Sequence, residues 1–219
     1  MTKPKLAVKG IMLDLDGTIL DTKPAYLETG RIAFEKLGQQ SPEAVQLLEI
    51  PKRIEQKQPF TDITKTVDYH KFLTVYLETF YSISAAKTKP MPQVEKTLEA
   101  LSKNAPLAVI TMRFMSKENI FAELKQYNLD GYFSHVVTAL DTAKPKPSPE
   151  ALIKAAGAMG VQMCDCVIVG DSIVDVLAGK AAGAKTVAVL SGLYSHVELS
   201  KTEPNFIIND ISELPTLLE

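Results

Sequence analysis

Short, nearly continuous apolar runs that alternate with segments of helical periodicity are the feature that most constrains the fold of this chain. Runs of this kind are typical of strands buried on both faces of a parallel sheet, with helices as the crossovers between them. The runs cover residues 8–15, 106–112, 133–140, 166–171 and 185–190, with a shorter one at 205–210. The sequence therefore predicts an α/β fold, a parallel sheet with helices on both of its faces.

Capping residues mark the helices between these strands. Ser116 is a suitable N-cap for the segment that follows it, and Ser148, with Pro149 at the first helical position, predicts the start of another helix. Gly160 and Gly183 stand where two of the helices are expected to end.

The segment 22–88 differs from the rest of the chain because it contains no convincing strand. Apolar residues recur with helical spacing over 25–38, 42–56 and 62–84. We therefore expect a small all-helical domain at 22–88, inserted after the first strand and lying over one edge of the sheet. Residues 1–21 and 89–219 then form the α/β core domain.

Composition excludes several classes of function. Of the 219 residues, 46% are hydrophobic and 23% are charged, and the formal net charge of −2 comes with no long basic block. Neither nucleic acid nor a membrane is therefore expected as a partner. No apolar stretch is long enough to span a bilayer, and the first residues lack the apolar region of a signal peptide, so we expect a cytoplasmic protein.

Polar side chains follow the predicted strands at the points where those strands end. Asp14 and Asp16 close the first apolar run, Thr111 the second and Asp171 the fourth. Ligands of parallel sheets bind beyond the carboxyl ends of the strands, so these groups are expected to meet at one edge, together with Asp175. Converging carboxylates repel one another unless a cation lies between them, and hard oxygen ligands favour Mg²⁺. A lysine from the "AKPKPSPE" segment and the threonine hydroxyl would suit phosphate oxygens, which indicates phosphoryl transfer.

Four motifs resemble those of the haloacid dehalogenase superfamily, in its phosphatase branch, and come in the order that the family has. They are "DLDGT" at 14–18, "VITM" at 109–112, "KPKPSPE" at 144–150 and "VGDSIVDVLAGKAAGA" at 169–184. The resemblance implies a Rossmann-like core. The helical insertion is similar to the C1-type cap of members that resemble phosphoglycolate phosphatase.

The resemblance also implies roles for the first motif. Asp14 would be the nucleophile that attacks phosphorus and forms an aspartyl phosphate. Asp16 would protonate the leaving oxygen and then deprotonate the attacking water. Because the dehalogenases of this superfamily lack the second aspartate, Asp16 favours a phosphate ester over a haloacid as the substrate.

The remaining motifs supply the phosphate contacts. Thr111 and the amide of Met112 would bind phosphoryl oxygens. Arg113 is either a contact with the substrate or a surface charge. Two lysines are candidates for neutralising Asp14: Lys144 fits the spacing of the family better, whereas Lys146 is by default a solvated loop charge. The predicted substrate contacts are Leu15, Gly17, Thr111, Met112, Arg113 and Lys144.

The implied cofactor is Mg²⁺, held by an oxygen of Asp14, the backbone carbonyl of Asp16 and Asp171. Asp175 would be a direct or water-mediated ligand or an anchor for the lysine. The sequence thus predicts a Mg²⁺-dependent phosphomonoesterase of a small phosphorylated metabolite, with 2-phosphoglycolate as one candidate substrate, acting as a monomer or homodimer. The alternatives are a phosphomutase of the β-phosphoglucomutase type and a non-catalytic binding module with the same fold.

Overall fold

The computed structural model describes residues 5–65 and 67–219, and it divides into two compact units. One unit comprises the chain up to Leu20 together with Pro90–Glu219, and the other is Asp21–Lys89. The second unit extends one residue further at each end than the predicted segment 22–88. Residues 1–4 of the predicted core and Thr66 of the third predicted cap helix lie outside the described residues.

A parallel sheet forms the centre of the first unit. The strands of the described chain are β1 (Gly10–Leu13), β2 (Leu20–Asp21), β3 (Lys89–Pro90), β4 (Leu107–Ile110), β5 (Phe133–Val137), β6 (Cys166–Gly170), β7 (Lys185–Val189) and β8 (Phe206–Ile208). Six of them form one sheet in the order β5-β4-β1-β6-β7-β8, and every neighbouring pair is parallel. All six predicted strands are confirmed, while β2 and β3 pair with each other in a separate two-stranded sheet.

Both faces of the large sheet are covered, which explains why its strands read as continuous apolar runs. Along β1, Ile11 and Leu13 belong to the larger apolar cluster, whereas Met12 belongs to a second cluster. Successive side chains of a strand point to opposite faces, so the two clusters lie on the two sides of the sheet. All four residues of β1 are buried, and the predicted α/β class is confirmed.

The helices of this unit occupy the intervals between the strands. They are α5 (Val94–Ser102), α6 (Lys117–Gln126), α7 (Glu150–Met159), α8 (Ile173–Ala182), α9 (His196–Ser200) and α10 (Leu214–Leu217). The Ser116 hydroxyl caps α6 by accepting the Asn119 amide, as predicted. Gly160 and Gly183 end α7 and α8 with φ of 69° and 78°, a left-handed conformation that favours glycine. The predicted start of α7 was one residue early, because Pro149 is the N-cap of this helix.

The second unit is helical. Its helices are α1 (Lys23–Lys36), α2 (Ala44–Glu55), α3 (Thr61–Thr64) and α4 (Tyr69–Lys87). The third predicted helix is interrupted and forms α3 and α4, the latter capped by the Asp68 carboxylate, which accepts the Lys71 amide. Aromatic rings make up much of the apolar core of this unit, and the ring of Phe72 contacts those of both Phe34 and Phe60. The predicted helical content of this segment is therefore confirmed.

No helix within residues 5–65 and 67–219 combines the length and the apolar character that crossing a membrane requires.

Candidate active site

The site lies where three adjacent strands end. β1 is hydrogen-bonded to β4 on one side and to β6 on the other. The strand order reverses at β1, because β4 and β5 follow on one side of it and β6, β7 and β8 on the other. This is the point of a parallel sheet at which ligands bind beyond the carboxyl ends of the strands. Asp14 and Asp16 follow β1, Thr111 follows β4 and Asp171 follows β6. The sheet topology thus brings together residues that are far apart in the sequence.

A buried lysine ties two of the acids together. The Nζ atom of Lys146 lies 2.6 Å from Oδ1 of Asp14 and 2.6 Å from Oδ1 of Asp175. The same ammonium group donates to the backbone carbonyl of Ile110 at 3.2 Å. Three acceptors satisfy the three donors of an ammonium group, so this lysine is held in one position although its residue is only 2% exposed.

The prediction of Lys144 as the lysine of this site is corrected by the structure. The Lys144 residue is exposed, and its backbone amide, like that of Ala143, donates to the carboxylate of Glu150. These two bonds hold the loop at the start of α7 while Lys146, two residues further on, enters the site. Lys146 was the alternative that the sequence left as a solvated charge.

Burial and charge act in opposite directions on the lysine and its partner. Burial raises the pKa of Asp14 well above its usual range, and the nearby Lys146 ammonium opposes this rise. Burial disfavours the charged form of Lys146, but Asp14 and Asp175 overcome this effect and raise its pKa above the usual range. The two acids thus favour the charged form of Lys146, while burial disfavours the ionised form of Asp14.

Three buried carboxylates converge closely enough to share a metal ion. Asp14, Asp171 and Asp175 each offer an oxygen, and these oxygens lie within 4.8 Å of one another. Asp175 is already committed, since its Oδ1 accepts from Lys146 and its Oδ2 accepts from the hydroxyl of Ser172 at 2.7 Å. In addition, the Ser172 amide donates to Oδ2 of Asp175 and the Asp175 amide donates to the Ser172 hydroxyl, and these two bonds form a capping box at the start of α8. Asp175 therefore fits the anchor for the lysine, one of its predicted alternatives.

The backbone of two loops lies very close to the Asp171 carboxylate. The Leu193 amide donates to Oδ2 of Asp171 at 3.2 Å. A Cβ atom built on Gly192 would lie 1.6 Å from this oxygen, and one built on Gly17 would lie 2.6 Å from it. Gly17 also has a φ of 80°, in the left-handed region. Glycine is required at both positions so that two loops can surround the carboxylate.

The second aspartate of the first motif points to a different partner. Both oxygens of Asp16 accept from Arg113, Oδ2 from Nε at 2.8 Å and Oδ1 from Nη2 at 2.6 Å. The remaining terminal nitrogen of Arg113 donates to Oε2 of Glu123, on α6, at 2.5 Å. Burial raises the pKa of Glu123, with Arg113 opposing the rise. Sequence reasoning identified Arg113 but not Glu123, for which no motif gave a signal.

The other predicted contacts lie along the same edge. Thr111 is buried, and its hydroxyl accepts the Arg113 amide at 3.2 Å. Met112, between them, is half-buried. The carbonyl of Leu15 accepts the amides of Ile19 and Leu20, which closes the turn after β1. The predicted site residues thus surround one edge of the sheet, with Lys146 in the place that the sequence assigned to Lys144.

This fold and this site define an α/β enzyme with an acidic cluster at the carboxyl edge of its sheet. The model of the haloacid dehalogenase-like hydrolases matches residues 11–189, and the chain belongs to this family. The family named by the sequence resemblance is therefore confirmed.

Relatives agree with this assignment, and a solved structure has the same fold. The chain is 32% identical to the phosphoglycolate phosphatase of Neisseria meningitidis, over 94% of this chain and 92% of that protein. It is 25% identical to the pyrophosphatase PpaX of Halalkalibacterium halodurans, over 95% of this chain and 96% of that protein. A haloacid dehalogenase-like hydrolase from Streptococcus pneumoniae has the same fold, with a TM-score of 0.80, 19% identity, and coverage of 95% of this chain and 97% of that chain.

Proposed function

We propose that this protein is a Mg²⁺-dependent phosphatase that hydrolyses a small phosphate ester through an aspartyl phosphate on Asp14. The observation that carries this proposal is the placement of Asp14. Its carboxylate is buried at the carboxyl edge of the sheet, contacts the Lys146 ammonium and lies within 4.8 Å of the carboxylates of Asp171 and Asp175. A carboxylate in this environment is positioned to attack an electrophile that brings negative charge with it.

The first half of the reaction is phosphoryl transfer to the protein. An oxygen of Asp14 attacks phosphorus, the bond from phosphorus to the ester oxygen breaks, and Asp16 supplies a proton to that oxygen. The Lys146 ammonium neutralises charge on Asp14 and on the transferred group, while Thr111 and the Met112 amide bind phosphoryl oxygens. Positioning and neutralisation of charge are the main contributions that a protein makes to this chemistry.

The second half releases phosphate. Asp16, now a carboxylate, takes a proton from water, the water oxygen attacks phosphorus, and the bond to Asp14 breaks. The carboxylate of Asp14 is thereby restored. Asp14 and Asp171, with the backbone carbonyl of Asp16, would hold Mg²⁺, which supplies positive charge to the phosphoryl oxygens.

The names of the relatives suggest two substrates to test first. Relatives at 30–32% identity are named phosphoglycolate phosphatase, and others at 25–29% are named pyrophosphatase. We propose 2-phosphoglycolate as the first candidate and inorganic pyrophosphate as the second. The helical unit, Asp21–Lys89, is proposed as the cap that selects between such substrates. A cytoplasmic location and a monomeric or dimeric state stay predictions of the sequence.

The test is a screen of phosphorylated metabolites, including both candidates, with Mg²⁺ and with EDTA. We expect release of inorganic phosphate from at least one ester, loss of this release in EDTA and its return when Mg²⁺ is added. Trapping the phosphoenzyme and adding water or a sugar phosphate distinguishes a phosphatase from a phosphomutase. Full activity in EDTA, or no activity on any ester, would overturn the proposal.

A further inference from the structure

Arg113 holds Asp16 in a geometry that fixes the carboxylate completely. Nε and Nη2 of the guanidinium group each donate to a different oxygen of Asp16, at 2.8 Å and 2.6 Å. Two parallel bonds of this kind set both the position and the plane of a carboxylate, which a single bond does not. The two residues are separated by 97 positions in the sequence, so the pair is purely a product of the fold.

Glu123 holds Arg113 from behind. Nη1 donates to Oε2 of Glu123 at 2.5 Å, and the side chains of Arg113 and Glu123 are only 3% and 5% exposed. A buried guanidinium group between two carboxylates is restrained at both ends. It therefore behaves as a rigid part of the scaffold, whereas a substrate-binding arginine needs its paired donors available for the ligand.

The restraint also separates Asp16 from its neighbours. Asp14, two residues earlier, belongs with Asp171 and Asp175 to the group of converging carboxylates, and the Asp16 side chain is not among the described members of that group. The Asp16 side chain keeps 15% of its surface exposed, compared with 9% for Asp14 and 2% for Asp175. Its carboxylate is thus the one of these acids with the most access to water.

We infer that Arg113 is a positioning residue, backed by Glu123, which fixes the Asp16 carboxylate for proton transfer and keeps it out of the metal ligands. The inference rests on the proposed function, and it replaces the predicted role of Arg113 as a substrate contact. Asp16 exchanges the proton in each half-reaction: it gives one to the leaving oxygen and takes one from water. Arg113 thus acts through its two bonds to Asp16 and not through a contact with the substrate.

The test compares Arg113→Met and Arg113→Lys on two substrates that differ in their need for a proton. An alkyl phosphate leaves as a strongly basic alkoxide, whereas p-nitrophenyl phosphate releases a weakly basic phenolate that departs without protonation. We expect Arg113→Met to lower kcat/KM for the alkyl phosphate by about 100-fold or more, the range typical of general acid catalysis, with kcat/KM for the aryl phosphate within about threefold of wild type.

The second half-reaction gives an independent readout. With Asp16 misplaced, water attack on the aspartyl phosphate is slowed, so kcat for the aryl phosphate falls and the phosphoenzyme accumulates in a burst. We expect Arg113→Lys to resemble Arg113→Met, because a lysine makes single bonds and leaves the plane of Asp16 free. Lys103→Met, which removes an exposed pair with Glu99, is the control and should match wild type.

The outcomes separate the possible roles of Arg113. Equal losses of kcat/KM on both substrates would show that Arg113 binds the substrate phosphate, and full activity of Arg113→Lys would show that charge alone suffices; either result overturns the inference. If Arg113→Met does not fold, Glu123→Gln should give the same pattern at smaller amplitude, and its absence would also overturn the inference. Failure of the wild-type enzyme on both substrates would instead count against the proposed function.

Discussion

The ammonium group of Lys146 lies 2.6 Å from Oδ1 of Asp14, although 132 positions separate the two residues in the sequence. The lysine residue is 2% exposed, and its ammonium group also contacts Asp175. An ion pair that is this deeply buried stabilises the fold only while each charge keeps its partners, because an unpaired buried charge is strongly unfavourable. The same pair places positive charge beside the proposed nucleophile, so we expect both stability and catalysis to depend on this contact.

Replacing each lysine of the "KPKP" segment separates the two candidates. We expect Lys146→Met to abolish activity and to lower the free energy of unfolding by about 3–5 kcal/mol, because Asp14 and Asp175 lose their shared cation. Lys144→Met, at an exposed position, should change the free energy of unfolding by less than about 0.5 kcal/mol and leave turnover near that of wild type. Urea unfolding and phosphate release measure both. A larger effect of Lys144→Met than of Lys146→Met would contradict the observed placement.

Asp14→Asn tests the nucleophile directly. An amide oxygen does not form the acyl phosphate, so we expect phosphate release to fall to background and no phosphoenzyme to be trapped. Asp165→Asn, which removes an exposed carboxylate paired with Lys9, is the matched control and should stay active. Retention of more than a few per cent of wild-type turnover by folded Asp14→Asn would remove Asp14 from this role.

Gly192→Ala tests the metal site without replacing any of its carboxylate residues. The added Cβ would lie 1.6 Å from Oδ2 of Asp171, so either the loop or the carboxylate must move. We expect the Mg²⁺ concentration for half-maximal activity to rise about 10-fold or more, as for other changes that disturb the support of a metal ligand. Gly131→Ala, with nothing within 4 Å of the new Cβ, is the control. An unchanged Mg²⁺ requirement in folded Gly192→Ala would argue against Asp171 as a ligand.

The raised pKa of Glu123 predicts a pH dependence of stability. Burial is the main cause of the raised pKa. As pH rises above about 4.3, the usual pKa of glutamate, the unfolded chain releases this proton before the folded protein does, which favours unfolding. The stability of wild type relative to Glu123→Gln should therefore fall as pH rises, until the pH passes the folded-state pKa. Urea titrations of both proteins from pH 4 to pH 7 check this, and an increase with pH would mean that Arg113 outweighs burial.

Much of the fold could be predicted because its signals are local. A strand buried on both faces must be apolar along its whole length, so each of the six strands of the sheet is visible in the sequence as an apolar run. The residues after β1, β4 and β6 could be grouped by the rule that carboxyl ends of parallel strands share an edge. The interruption between α3 and α4 was missed because the helical spacing of apolar residues continues across it.

What only the tertiary structure decided are the contacts between distant segments. Within the "KPKPSPE" segment the pattern Lys-Pro-x-Pro occurs in two registers, one that starts at Lys144 and one that starts at Lys146. The choice depends on which lysine side chain lies within reach of Asp14, and in the structure Lys146 does, while the Lys144 amide donates to Glu150. The Glu123 contact with Arg113 likewise follows from the packing of α6, and the spacing of residues in the sequence does not predict it. The sequence by itself determined the chemistry at the edge of the sheet, because that chemistry requires particular residue types; the fold alone determined their partners, because pairing depends on distance in space.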